Sequence, residues 1–383
     1  MPDILSDNKI KPIAFYLPQY HSIPENDLAW GKGFTEWTNV KKAKPLFPGH
    51  YQPRIPLDQN YYNLEDSTVM KQQSVIAKDH GIFGFCYYHY WFKNGKKLLE
   101  KPIENMLKDP DVAIPFCLCW ANESWTKRWN GRDGEIIVEQ DYGAIDDWKA
   151  HFNYLFEFIS DSRYITLDGK PIIIIYKPDE IPCMNDMMEC WQNLALENGL
   201  KKGLCFISQS SATYYNPQFN NKKFSYQIKF EPFFSYGNGI REKLMSVSKG
   251  LHMPWIYAGI QKIMRTKKRK AATQQVIDYD KVWNSILSHK KNDMLLEGAF
   301  VDWDNTPRTN NGYRTEGAAP EKFRTNLSKL FIKMHQGKTI PCLFINAWNE
   351  WAEGAYLEPD EKYGYKYLEA LKSALEEYDH ESD

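Results

Sequence analysis

Apolar residues in this 383-residue chain gather into short runs separated by polar or helical stretches. KPIAFYL at 11 to 17, GIFGFCYY at 81 to 88, VAIPFCLCW at 112 to 120 and PIIIIY at 171 to 176 are the first four. GLCFIS at 203 to 208, SYQIKF at 225 to 230, GAFVDW at 298 to 303 and PCLFINAW at 341 to 348 complete eight candidate strands. Runs without strict alternation fit strands buried on both faces, as in a parallel sheet covered by helices. Helical periodicity fills the intervals at about 65 to 79, 146 to 160, 184 to 198, 273 to 290 and 320 to 336. Asp66 or Ser67 can cap the first of these, and Pro320 with Glu321 reads as a first helical turn. Eight strands alternating with helices predict a (β/α)8 TIM barrel rather than an open doubly wound sheet. No internal repeat and no Pro/Gly/Ser-rich linker divides the chain, so one domain over 1 to 383 is the expectation.

Two connections are long: 18 to 64, dense in Pro, Tyr and Trp, and 121 to 145, which begins ANESWTKRWNGRDGE. Long loops after barrel strands usually carry function. The compact basic run RTKKRK at 265 to 270 reads as a solvated face or loop, with docking to an anionic membrane or partner as its alternative.

Composition narrows the chemistry. Lys plus Arg number 48 and Asp plus Glu 49, a formal charge of -1, which provides no global field for nucleic acid. Aromatics make up 15% of the residues, enough amphipathic rings to stack on flat hydroxylated ligands such as sugars, although a Trp-rich core needs them too. The seven cysteines lie mostly inside apolar runs and read as reduced core residues. The start has no apolar h-region, and no stretch reaches 18 apolar residues. The expectation is therefore a cytoplasmic protein with no transmembrane segment. HExxH, paired CxxC, GxSxG, GxGxxG and GxxxxGK[ST] are all absent, so neither metal nor cofactor is expected.

Residues at the C-terminal ends of barrel strands meet at one mouth, where barrel enzymes place catalysis. Tyr16, Gln19 and Tyr20 follow the first strand; Tyr88, His89 and Trp91 close the second. Trp120, Asn122, Glu123 and Trp125 follow the third, and Asp302, Trp303 and Asp304 the seventh. The eighth delivers Asn349, Glu350, Trp351 and Glu353. Aromatics beside Asn, Gln, His and carboxylates are the lining of a sugar site. His89 either contacts substrate or is satisfied inside the core.

The stretch NAWNEWAEG at 346 to 354 is the sharpest signal. Three residues apart on a helical turn, Glu350 and Glu353 would face the same way with Cβ atoms about 5–6 Å apart. Two carboxyls so confined cannot both ionise easily, and one becomes a proton donor at neutral pH. Such close spacing favours a retaining glycosidase over an inverting one. Trp348 and Trp351 would lower the local dielectric and offer a ring face to a sugar.

YLPQYHSIPENDLAWGKGFTEWTNV at 16 to 40, CYYHYWF at 86 to 92, WANESWTKRWNG at 120 to 131, VDWDNTPR at 301 to 308 and NAWNEWAEG together resemble the WbsX-like family of polysaccharide-cluster proteins. That family is often labelled glycosyltransferase, yet is similar to glycoside hydrolase family 99, the endo-α-1,2-mannosidase and mannanase barrels, which share the N-E-W-x-E-G spacing. The resemblance implies one barrel acting on an α-linked oligosaccharide or polysaccharide without metal or nucleotide. It implies that Glu353 is the general acid/base and that Glu350 deprotonates the sugar's own 2-hydroxyl, giving a 1,2-anhydro intermediate. Glu358 with Pro359 falls where those hydrolases have a Glu-Pro pair. Ala352 stands in place of their histidine and YLPQYH departs from their pattern, which leaves mannose specificity open. Peripheral association with membrane-bound glycan intermediates is compatible with it.

Two rival readings stand beside this one. A nucleotide-sugar glycosyltransferase of O-antigen or capsule synthesis would use Asp302-Trp303-Asp304 as a metal-holding DxD, a pattern that DPD at 109 to 111 matches equally. A non-catalytic glycan-binding barrel would need the aromatic mouth but not the glutamate pair.

Overall fold

The eight apolar runs become eight parallel strands: β1 (Lys11–Tyr16), β2 (Gly84–Phe92), β3 (Phe116–Trp120), β4 (Lys170–Ile175), β5 (Cys205–Ser210), β6 (Tyr226–Lys229), β7 (Leu295–Phe300) and β8 (Cys342–Asn346). The computed structural model describes residues 1–127, 135–210, 223–236, 275–309 and 312–382. Each strand pairs in parallel with the next in sequence, and β8 pairs with β1 through Lys11 opposite Cys342 and Ile13 opposite Phe344. The sheet is therefore a closed barrel, the (β/α)8 architecture that the run pattern predicts. RTKKRK at 265 to 270 lies outside the described residues.

Burial explains the run pattern. All six positions of β1 and all five of β3 and β8 are buried, because the interior covers one face and the helices cover the other. Each fully buried large apolar side chain contributes about 1.5–3 kcal/mol. Inside, the Phe15 ring meets those of Tyr88, Phe230 and Phe344 at 5.4–5.7 Å. All seven cysteines are free thiols, five of them buried.

Helices Ser67–Asp79, Ile145–Ile159, Met184–Glu197 and Pro320–Gly337 lie where the periodicity predicts them. Asp66 caps the first, accepting from the Thr68 N–H at 2.9 Å, and Pro320 occupies the first turn of the last. The helix expected at 273 to 290 is shorter, Tyr279–Ser288, because Gln275–Asp278 pairs instead with Tyr313–Glu316 in a small separate sheet. The seventh strand begins earlier than its apolar run. Glu297 interrupts the hydrophobic pattern, yet it is buried against the Lys229 ammonium at 2.7 Å, so the charge is neutralised within the wall. None of the described helices is long and apolar enough to cross a membrane.

Candidate active site

Strand alternation divides the residues of β2 between two environments. Tyr88 and Tyr90 face the mouth of the barrel and line its cleft. His89 and Trp91 point the other way, against helix Ile145–Ile159. His89 Nε2 sits 2.8 Å from His151 Nε2, and Trp91 stacks on the His151 ring at 4.5 Å and 4°. Trp120 meets the same ring edge-on at 4.7 Å. Burial holds both histidines neutral, His89 down to about 3. His89, Trp91 and Trp120, expected at the sugar site, thus form the wall between barrel and helix.

The decisive loop follows β8. Asn349–Glu350 pairs antiparallel with Ala355–Tyr356, and a 3-10 turn, Trp351–Glu353, joins them. The glutamate pair therefore comes from a tight hairpin rather than an α-helical turn. Gly354 closes it at φ 64°, where a Cβ would press on the Arg54 guanidinium and the Asp304 N–H, both at 3.0 Å. Asn349 pins the hairpin to the chain after β1: its Oδ1 accepts from the Leu17 N–H at 2.7 Å and its Nδ2 donates to the Leu17 carbonyl at 3.0 Å. The Tyr20 hydroxyl adds a hydrogen bond to the Asn349 carbonyl.

Trp348 and Trp351 are fully buried. Trp351 stacks on Tyr356 at 3.8 Å and donates from Nε1 to Glu358 Oε2 at 2.6 Å. Neither can present a face to a sugar; they are the packing that fixes the hairpin. Glu358, buried on the same side, also accepts from Tyr62 at 2.9 Å and Gln73 at 2.6 Å, and burial raises its carboxyl to about 7. Tyr16 belongs to this buried network as well, donating to Gln73 Oε1 at 2.6 Å.

Glu350 and Glu353 reach the cleft together, and Arg308 lies between them. Its Nη2 is 3.2 Å from Glu350 Oε2, and its Nη1 contacts Glu353 Oε1. The third carboxylate on this guanidinium is Glu36, at 2.9 Å from Nε and 2.8 Å from Nη2. Glu36 opens helix Glu36–Lys42, where Thr35 N donates to Thr38 Oγ1 at 3.2 Å and Trp37 packs against Trp351 at 5.5 Å. Sequence reasoning singled out neither Glu36 nor Arg308, although both lie inside the stretches 16 to 40 and 301 to 308.

The cleft above this cluster has a volume of about 590 Å³. Gln19, Tyr88, Glu123, Trp125, Trp303, Glu350 and Glu353 line it, as the strand-end reading expects, and Trp30, Tyr90, Tyr176, Lys177 and Tyr313 join them. Asn122 does not; it is buried and holds the Lys177 backbone through two 2.7 Å hydrogen bonds. Asp302 and Asp304 are also spent on structure. Asp302 pairs with Arg54 at 2.7 Å, and Asp304 contacts His50 at 2.8 Å, Gln52 at 2.9 Å and Thr306 at 2.6 Å.

A family model described as Glycosyltransferase WbsX matches residues 12–371. The chain belongs to the WbsX family. This WbsX chain is 35% identical over 372 residues to a protein called Uncharacterized protein WxcX from Xanthomonas campestris pv. campestris, across 95% of the chain and 49% of that protein. A second strain, B100, carries a relative at 35% over 369 residues, again 49% of its length. The chain thus spans about half the length of the curated relatives it matches. Its fold is similar to the GH99 endo-alpha-mannosidase from Bacteroides thetaiotaomicron, at 11% identity and a TM-score of 0.55 over 98% of this chain and 99% of that one. A solved structure described as a glycoside hydrolase-like protein aligns with a TM-score of 0.54 at 13% identity, over 96% of this chain and 94% of that one.

The electrostatics of the WbsX cleft follow from burial. Desolvation raises the carboxyls of both Glu350 and Glu353; the charge of Glu36 adds to the rise in both and that of Glu353 to the rise in Glu350, while the Arg308 guanidinium opposes it. The surrounding carboxylates hold Arg308 ionised. Among the described lining residues, Lys177 is paired with Glu123 and with Glu180 at 3.4 Å, and Arg308 with its three glutamates. Both cations are therefore neutralised inside the protein. Among the described residues, no group of three or more His, Cys, Asp or Glu side chains is arranged to hold a metal ion.

Proposed function

We propose that this chain is a glycan-active enzyme that cleaves α-linked oligosaccharide or polysaccharide with retention of configuration. The observation that carries the reading is the joint delivery of Glu350 and Glu353 to the floor of an aromatic cleft, bridged by one guanidinium. One guanidinium reaching both carboxyls supports the short separation of retaining pairs over the wider inverting one. Glu350 takes the proton of the sugar's 2-hydroxyl as O2 attacks the anomeric carbon. Glu353 gives its proton to the departing glycosidic oxygen, so the C1–O bond breaks as the 1,2-anhydro ring forms. Water then adds at C1, losing a proton to Glu353 while Glu350 returns one to O2. This division of roles rests on the resemblance to the family 99 hydrolases. Trp125, partly exposed in the cleft, is the platform on which a sugar ring would stack, and the buried Trp303 forms part of the cleft lining.

The family's description supports a second reading, glycosyl transfer from a nucleotide sugar. Against it, Asp302 and Asp304 are engaged by Arg54, His50 and Gln52, and a diphosphate would meet carboxylates with their cations already paired. Thermal-shift measurements separate the two, since a ligand selective for the folded state raises its melting temperature. α-Linked oligosaccharides are expected to stabilise the protein without metal. Stabilisation by a nucleotide sugar with Mn²⁺ or Mg²⁺, and by no glycan, would transfer the function to the second reading.

A further inference from the structure

Glu36 and Arg308 have no part in the chemistry above, yet Arg308, paired with Glu36, touches both of its carboxyls. A guanidinium presents five N–H donors in one rigid plane. Here Nε and Nη2 are directed at Glu36, Nη2 reaches Glu350 at 3.2 Å, and Nη1 reaches Glu353. Glu36 is 0% exposed and its Oε2 meets no protein donor, so Arg308 is the one cation paired with it among the described residues. That arrangement fixes one side of the guanidinium and leaves the other facing the pair.

Accepting the catalytic pair of the proposed function, we propose that Arg308, anchored on Glu36, is the positioning residue that decides which of Glu350 and Glu353 holds their shared proton. Nη1 lies against Glu353 and keeps it ionised, so the proton rests on Glu350. A glycosidic oxygen arriving at Glu353 displaces Nη1. The guanidinium, still held by Glu36, then turns its charge on Glu350, and one proton passes from Glu350 to Glu353. The general acid is thus armed only when a leaving group is present. The other titratable groups facing the pair are Tyr20 from the segment after β1 and Tyr88 and Tyr90 from β2, all kept as neutral phenols by burial. Behind the turn, Arg54 donates to the Gly354 carbonyl at 3.3 Å, and Asp304, paired with His50, donates its N–H to the Glu353 carbonyl at 2.5 Å.

The test is a ¹³C titration of the glutamate carboxyls in the substrate-free protein, with Glu350→Gln and Glu353→Gln spectra identifying the two signals. In the wild type Glu350 titrates above Glu353. Arg308→Gln removes the cation and moves both midpoints up by about one unit or more, whereas Glu36→Gln removes an anion and moves both down. Arg308→Lys keeps the charge and stays nearer the wild type than Arg308→Gln. The limbs of the pH profile of kcat/KM move in the same directions, which a merely structural role would not cause. Midpoints that stay put, or that move the same way in Arg308→Gln and Glu36→Gln, overturn the proposal. Should Glu36→Gln not fold, the order of Arg308→Gln and Arg308→Lys decides alone. Because the titration needs no substrate, shifted midpoints in a protein that cleaves no glycan would defeat the proposed function and leave the proton assignment standing.

Discussion

At the scale of single residues, the hairpin depends on a buried acceptor as much as on the glutamates it displays. Trp351 sits between Glu350 and Glu353 in sequence and is tied to Glu358 by a 2.6 Å hydrogen bond. Trp351→Phe would keep the stack on Tyr356 and remove that donor. We expect a loss of about 1–3 kcal/mol in urea unfolding, since a buried carboxyl would lose a partner; an unchanged midpoint would show that the contact contributes nothing. The sequence placed Trp351 and Trp348 at the sugar face because adjacent positions in a motif look alike on paper. Alternation separates them: Tyr88 and Tyr90 are in the cleft while His89 and Trp91 are behind it. Strand periodicity in β2 carries that sorting, although the sequence reading put His89 and Trp91 at the mouth with Tyr88. The sorting was not legible after β8, where a 3-10 turn and a Gly354 in the left-handed region replace strand periodicity. Arg308 was hidden for a different reason. It reaches the pair across 42 and 45 residues of sequence, and no local pattern announces such a contact.

At the scale of elements, the eight strands were readable because both faces of a barrel strand are apolar, and the run boundaries erred where a charge is buried. Glu297 illustrates this, its pairing with Lys229 being invisible until β6 and β7 lie side by side. Gly298 next to it shows how closely those two strands approach. A Cβ there would overlap the Lys229 carbonyl oxygen, a backbone atom that cannot turn aside. Gly298→Ala is therefore expected to destabilise the barrel by about 3 kcal/mol or more, read as a fall in melting temperature or as failure to fold. A melting temperature equal to wild type would contradict the described register of β6 and β7.

At the scale of the whole molecule, buried titratable groups give stability a predictable dependence on pH. His89 is held down to about 3 and His289 to about 4, with His151 and His21 also lowered, all mainly by burial. Their folded values lie below the unfolded one, so their contribution is present above about pH 6.5 and is lost on acidification. Glu231 and Glu358 behave oppositely, raised to about 8 and about 7. Their contribution is present below the ordinary carboxyl value of about 4.3 and is lost as pH rises through 7 to 8. The two sets offset one another between about pH 4.5 and 6.5. Above that window the carboxyls act alone, and the melting temperature should fall toward pH 8.5. Each such group accounts for up to about 1.4 kcal/mol per pH unit. Glu231→Gln should make the fall shallower; an unaltered slope would mean that Glu231 titrates normally in the folded state.

The central claim is that Glu350 and Glu353 perform proton transfer in glycosidic cleavage, and turnover by their amide variants tests it most directly. On an α-linked oligosaccharide that stabilises the wild type, Glu350→Gln and Glu353→Gln should each keep the melting temperature and ligand binding while kcat falls by about 10²–10⁴. A folded variant of either kind that turns over at the wild-type rate would contradict the account.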